Sequence, residues 1–193
     1  MRRIWLFLFV GMLAVASPFA FQKKVPTVLE VVSNGAVQPL EDGLYSYKGI
    51  DTRHGPQCVE YAERFYTSLF PMTFPFHNSG PGAYDIWEGV AENKDVGSWA
   101  SHRQYFVAYE NGTTVPQADD MLLYDRTRGG GWGHIAIIAE VHPEAVVILE
   151  QNSGHDTRRV LPLIENRIVD RGVKGVIRLK AQDQQEHEQE SVH

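Results

Sequence analysis

One cysteine, Cys58, stands among 193 residues, so the chain can form no internal disulfide. Small exported domains often rely on such crosslinks, and this one must hold together through its core instead. Positive charge is also scarce. Lys and Arg number 18 against 24 Asp and Glu, a formal net charge of −6, and a surface of that sign repels the phosphate backbone of DNA or RNA. No nucleic-acid partner is expected. The eight histidines, His54, His77, His102, His134, His142, His155, His187 and His193, show no metal-ligand spacing, and Cys58 has no second thiol beside it. Neither a metal nor a cofactor is expected. The glycine run Gly129-Gly130-Gly131 lacks the Lys-Ser/Thr of a phosphate loop and reads as a connector. No internal repeat is present.

What is there begins with a leader. Met1-Arg2-Arg3 is a short positive start, Ile4 to Ala16 is uncharged and apolar, and Ala14-Val15-Ala16 supplies the small residues of a cleavage site. Residues 1–20 therefore read as a signal peptide. The alternative is a membrane anchor, since the apolar run is about 18 residues, near the lower limit for spanning a bilayer. Either reading places the domain outside the cytoplasm, secreted or periplasmic, with any membrane attachment only through an uncleaved leader. Loss of Arg2 and Arg3 would take the charge from −6 to −8. The remaining residues, about 170, suit one domain with one core, expected to be monomeric. Residues 21–43 read as an irregular N-terminal arm and 44–180 as the folded domain. Residues 181–193, rich in Gln, Glu, Asp and His, read as a disordered acidic tail.

Within the domain, helical spacing comes first. Cys58, Ala62, Phe65 and Leu69 recur on one face between Pro56 and Phe70, and Gly55-Pro56 punctuates the start. A second helix is expected over Ala83 to Glu92 and a third over Val96 to Arg103, with residues 71–82 as a loop. Beyond Tyr105 the pattern turns to strands: Tyr105 to Tyr109, Met121 to Tyr124, His134 to Val141, Ala145 to Gln151 and Val173 to Leu179, with Arg159 to Ile164 as a weaker candidate. Helices followed by an antiparallel meander make an α+β fold, the helices packed on the sheet.

A thiol attacks as its thiolate, and the first turn of a helix favours that charge through unpaired N–H groups and the helix dipole. Gly55-Pro56-Gln57-Cys58 puts the sulfur there, with the Cys58 N–H and, more weakly, the Gln57 side chain as donors for an oxyanion. An inert buried thiol is the competing reading. His134 is the candidate base, fixed on the first residue of an apolar strand, although a strand-edge histidine is more often structural. On the next strand Glu150 and Asn152 share a face, and either a carboxylate or an amide there would orient the imidazole. Tyr45, Tyr47, Trp87 and Trp132 read as core or rim aromatics, with Tyr47 and Gln57 the candidate substrate-binding positions. Asn111-Gly112-Thr113 matches a glycosylation sequon.

The segments GPQCVEYAERFY and GHIAIIAEVHPEAVVILEQN resemble the two signature blocks of CHAP domains, the cysteine, histidine-dependent amidohydrolases/peptidases of the NlpC-type, papain-like superfamily. Pro116 to Asp125 is similar to the intervening strand of that family, and the likeness runs over about residues 40 to 180. Within the family, the Gln-Cys-Val-Glu segment and the Gly-His…Glu-Gln-Asn hairpin look most like the amidase domain of bifunctional glutathionylspermidine synthetase/amidase. The resemblance implies Cys58 as nucleophile, His134 as base, Glu150 as orienting acid and Asn152 as a supporting polar group, all on a papain-like fold. Ala118-Asp119-Asp120 lacks the usual glycine, and Pro56 replaces an aromatic residue, which leaves substrate preference open. A peptidoglycan peptide is the expected substrate of an exported domain of this kind. A small amide such as a glutathione–polyamine conjugate is the alternative, and a silent binding module is a third reading, disfavoured by an intact Cys/His/Glu set.

One geometric condition follows. A two-residue turn at Pro143-Glu144 with a regular ladder would pair His134 with Ser153 and face Glu150 away from the histidine. A three-residue connection, or an equivalent β-bulge, would pair Ala136 with Glu150 and bring His134 and Glu150 to one face, which should also meet the Cys58 helix.

Overall fold

The computed structural model describes residues 35–70, 82–94, 105–154 and 157–180. The leader, the third helix expected over 96–103, the loop at 71–81 and the acidic tail lie outside the described residues, as do His77, His102, His155, His187 and His193.

Two helices, α1 (Cys58–Leu69) and α2 (Ala83–Ala91), lie against an antiparallel sheet. The main strands are β4 (Phe106–Glu110), β5 (Met121–Tyr124), β6 (His134–His142), β7 (Ala145–Glu150), β8 (Arg158–Ile164), β9 (Arg167–Ile168) and β10 (Val173–Leu179), in the order β4-β10-β5-β6-β7-β8-β9. This is the α+β architecture that the residue pattern implies. The weak candidate at Arg159 to Ile164 is a full strand paired along β7. The arm is less irregular than expected at its end. Val37–Pro39 (β1) pairs with Tyr45–Tyr47 (β2), which pairs with Ile50–Asp51 (β3), in a separate three-stranded sheet. Strands of two or three residues are too short for a period-2 pattern to register, which is also why β9 is missed.

Alternation along the strands divides the core between the two faces of the sheet. Met121, Leu123, Ile135, Ile137, Val147 and Leu149 pack with Tyr61, Ala62, Phe65 and Tyr66 of α1 and Ile86 and Trp87 of α2. On the opposite face Leu122, Tyr124, Ala136, Ile138, Val146 and Ile148 pack with Leu161, Leu163 and Ile168. Because both faces are covered, β5 to β7 read as nearly unbroken apolar runs.

The β6–β7 hairpin turns in two residues, with His142 opposite Ala145. Its ladder then shifts between Ile138 and Glu140, so that Ala139 is an extra residue and Ala136 lies opposite Glu150. The bulge, rather than a longer loop, supplies the register that places His134 and Glu150 on one face. The sequon asparagine is already occupied: Asn111 donates to the Ile168 carbonyl and accepts from the Ile168 N–H, both at 2.9 Å.

Candidate active site

Cys58 is the first residue of α1, following Gln57 at the cap position in an extended conformation. Pro56 thus precedes the cap instead of sitting in the first turn. No helical carbonyl is available to the Cys58 N–H, as for every donor in a first turn. The thiol is 8% exposed and within hydrogen-bonding reach of His134.

His134 opens β6, and the residue before it explains its placement. Gly133 has φ 77°, and a Cβ there would meet the Tyr124 carbonyl, Tyr84 N and Tyr84 Cβ, each at 2.8 Å. Only glycine allows this left-handed turn and close approach together. The imidazole Nε2 lies 2.7 Å from Glu150 Oε2, which fixes the ring and leaves Nδ1 for Cys58. Histidine and carboxylate are both buried, Glu150 completely. Burial pulls the imidazolium pKa down, but hydrogen bonds and charge from Cys58 and Glu150 outweigh it and raise His134 to about 9.

By strand alternation His134 and Glu150 belong with Ala136, Ile138, Val146 and Ile148, the face away from α1. The thiol and imidazole therefore meet at the rim of the sheet, where β6 begins and α1 starts, and not within the helix-covered face that the residue pattern suggests.

Behind the pair lies a polar chain that sequence reasoning missed. Arg159 donates to Glu150 Oε1 at 3.3 Å and to Asp170 Oδ2 at 2.7 Å. Asp170 Oδ2 also accepts from Arg128 at 2.8 Å and the Tyr124 hydroxyl at 3.1 Å. Burial alone would raise Asp170, but Arg159 and then Arg128 hold its carboxyl below the usual range. Glu150 thus has a partner on each oxygen, the condition for keeping a carboxylate in the interior.

Gln151 was passed over between Glu150 and Asn152, yet it joins helix to sheet. Fully buried, it accepts from Arg53 N and from Arg64 Nη2, both at 2.8 Å, and donates to Glu60 Oε2 at 2.9 Å. Glu60 and Arg64, which form an i,i+4 pair at 2.8 Å, lie on α1 beyond Cys58. Gln151 therefore fixes the nucleophile's helix against the strand end that carries Glu150. The available signal was the unbroken run Glu-Gln-Asn at the end of an apolar strand.

Asn152, with φ 56°, turns out of the strand and donates to Gln57 Oε1 at 2.8 Å. It holds Gln57 by its side-chain oxygen and leaves the Gln57 amide N–H groups uncommitted. Tyr47 is elsewhere. It is 3% exposed, stacks on Phe65 at 5.7 Å and donates to Asp119 Oδ1 at 2.8 Å. The structure thus places Tyr47 in the core with its hydroxyl held by Asp119. His54 is exposed and bonded to the Asp42 carbonyl, and His142 to Glu140, so neither meets Cys58. Trp132 is 63% exposed.

A pocket of about 460 Å³ opens beside His134 and Glu150, with Arg128, Gly129, Asn152, Ser153 and Arg159 completing its wall and Cys58 outside it. A neighbouring hollow shares Asn152 and Ser153 and extends past Arg53 and His54. Among the described residues no group of three or more His, Cys, Asp or Glu side chains could hold a metal ion. What the arrangement can do is hold a thiol against a cationic imidazole beside spare N–H donors. The CHAP domain family matches residues 47–152, a span that opens at Tyr47 and closes at Asn152.

Proposed function

For a chain that belongs to the CHAP domain family, and so to the amidohydrolases and peptidases, we propose an exported thiol hydrolase that cuts an amide bond of peptidoglycan. The observation that carries the reading is His134, buried between Cys58 and Glu150 Oε2. In this reading the Cys58 thiolate attacks the scissile carbonyl while the Cys58 N–H and Gln57 amide stabilise the oxyanion. His134, held as imidazolium, protonates the leaving amine as the C–N bond breaks. It then takes a proton from water, whose oxygen attacks the thioester carbon and releases the acid, leaving the Cys58 thiolate beside the imidazolium as at the start. Glu150 orients the ring through its bond to Nε2. The leader at residues 1–20 favours a substrate outside the cytoplasm.

A second reading is a glutathionylspermidine-type amidase, supported by the Gln-Cys-Val-Glu segment and the Gly-His…Glu-Gln-Asn hairpin. Mass spectrometry of products separates the two. The protein is incubated with purified sacculi and, separately, with glutathionylspermidine. New amine and carboxyl termini in sacculus fragments are expected, and polyamine release with intact sacculi would reverse the assignment.

A further inference from the structure

The two arginines in the pocket have different duties. Arg159 spends Nη1 on Glu150 and Nη2 on Asp170. Arg128 spends only Nη2, on Asp170, while its guanidinium carbon lies 4.2 Å from the centre of the Tyr124 ring. That edge and that face fix its direction. Its backbone is fixed too, since the Arg128 carbonyl accepts from Gly133 N at 3.1 Å, one residue before His134. Among the described residues Nε and Nη1 of Arg128 have no protein acceptor, and the side chain is 27% exposed in the pocket wall. Ser153 Oγ, on the same wall, is buried without a hydrogen-bond partner.

Carboxylates give the complementary count. Glu150 meets His134 and Arg159. Asp170 Oδ2 meets Arg128, Arg159 and Tyr124, and its Oδ1 accepts from Arg171 N at 2.8 Å. Every oxygen of these two carboxylates already has a protein partner, whereas the Arg128 fork has donor positions without one. A planar fork of this kind suits a carboxylate.

We propose that Arg128 takes a free carboxylate of the substrate peptide beside the amide that is cut, with the Ser153 hydroxyl as a second donor. This rests on the peptidoglycan reading above and gives it a substrate class: an acidic peptide, with any cationic portion lying outside this pocket.

The test uses the full chain and one stem-peptide fragment in two forms, with its carboxylates free and converted to primary amides. The wild-type protein should lose roughly ten- to a hundredfold in kcat/KM on the amidated form, as for one charged hydrogen-bonded pair. Arg128→Met, which keeps the stem over Tyr124, should raise KM for the free form and treat the two forms alike. Arg128→Lys should recover part of the discrimination. A purely structural effect, passed through Asp170 and Arg159 to Glu150, would slow both forms together and leave their ratio intact, which overturns the proposal. Equal rates for the wild-type protein on both forms overturn it as well, whether or not the variants fold. Cleavage of neither form would instead overturn the peptidoglycan reading, and this inference with it.

Discussion

A histidine 5% exposed and charged at neutral pH is unstable unless its partners offset the lost hydration. Here one partner is a fully buried carboxylate at 2.7 Å and the other is the only sulfhydryl in the chain. Removing the sulfur should therefore lower the histidine's affinity for its proton. In Cys58→Ala, the imidazole Cε1–H signal followed against pH should titrate well below the value near 9 expected for the native protein. An unchanged midpoint would mean that Cys58 does not face the ring. Since the folded-state pKa lies above the ordinary 6.5, His134 adds stability that is whole below about pH 6.5 and disappears as pH rises through about 9. Cys58→Ser changes one atom, so its melting temperature should stay close to the native one while hydrolysis falls roughly a thousandfold or more. At this scale the places of Cys58 at a helix start and His134 at a strand start were legible from the residue pattern, while the roles proposed for them came from the family resemblance. Glu150 needed the register as well. Arg128, Arg159 and Asp170 were not legible, because three charged residues on separate strands and turns acquire a common purpose only once β5 to β10 are folded together.

At the scale of elements, the site depends on two joints. The first is the bulge at Ala139, which lets a two-residue turn coexist with the pairing of Ala136 and Glu150. The residue pattern gave the necessary parity but left open which device met it, since a three-residue loop would satisfy the same count. The second is Gln151 between β7 and α1. Gln151→Leu keeps the volume but strands the Arg53 N–H and one edge each of Glu60 and Arg64. A buried donor or acceptor without a partner costs about 1–3 kcal/mol, or roughly 2–4 °C in melting temperature per kcal/mol for a domain of this size. The variant should melt several degrees lower and lose turnover as the nucleophile's helix loosens from the strand that carries Glu150. Calorimetry and initial rates check both, and a variant with native turnover would show that Gln151 plays no part in aligning the thiol. Long periodic segments were readable to within a residue or two, as with α1, β5 and β10, because burial on defined faces dictates their residues. The short strands β1, β3 and β9 were not, since two or three residues fix no period.

Across the whole molecule, a single thiol makes the chain's sulfur chemistry and its proposed catalysis the same thing. A protein with a second cysteine can close an oxidised nucleophile into a disulfide and reopen it by exchange. This one has no resolving sulfur, and a side chain only 8% exposed is poorly placed to pair with another copy. Peroxide should therefore carry Cys58 to the sulfenic acid, where activity stops and only a small external thiol can restore it. Treated protein should run as a monomer on a non-reducing gel, weigh one oxygen more, and regain turnover with a low-molecular-weight reductant. Prolonged exposure should add further oxygens and make the loss permanent. In an oxidising compartment that supplies no such reductant, the working life of each molecule would be set by the oxidation of one atom, long before its fold gives way.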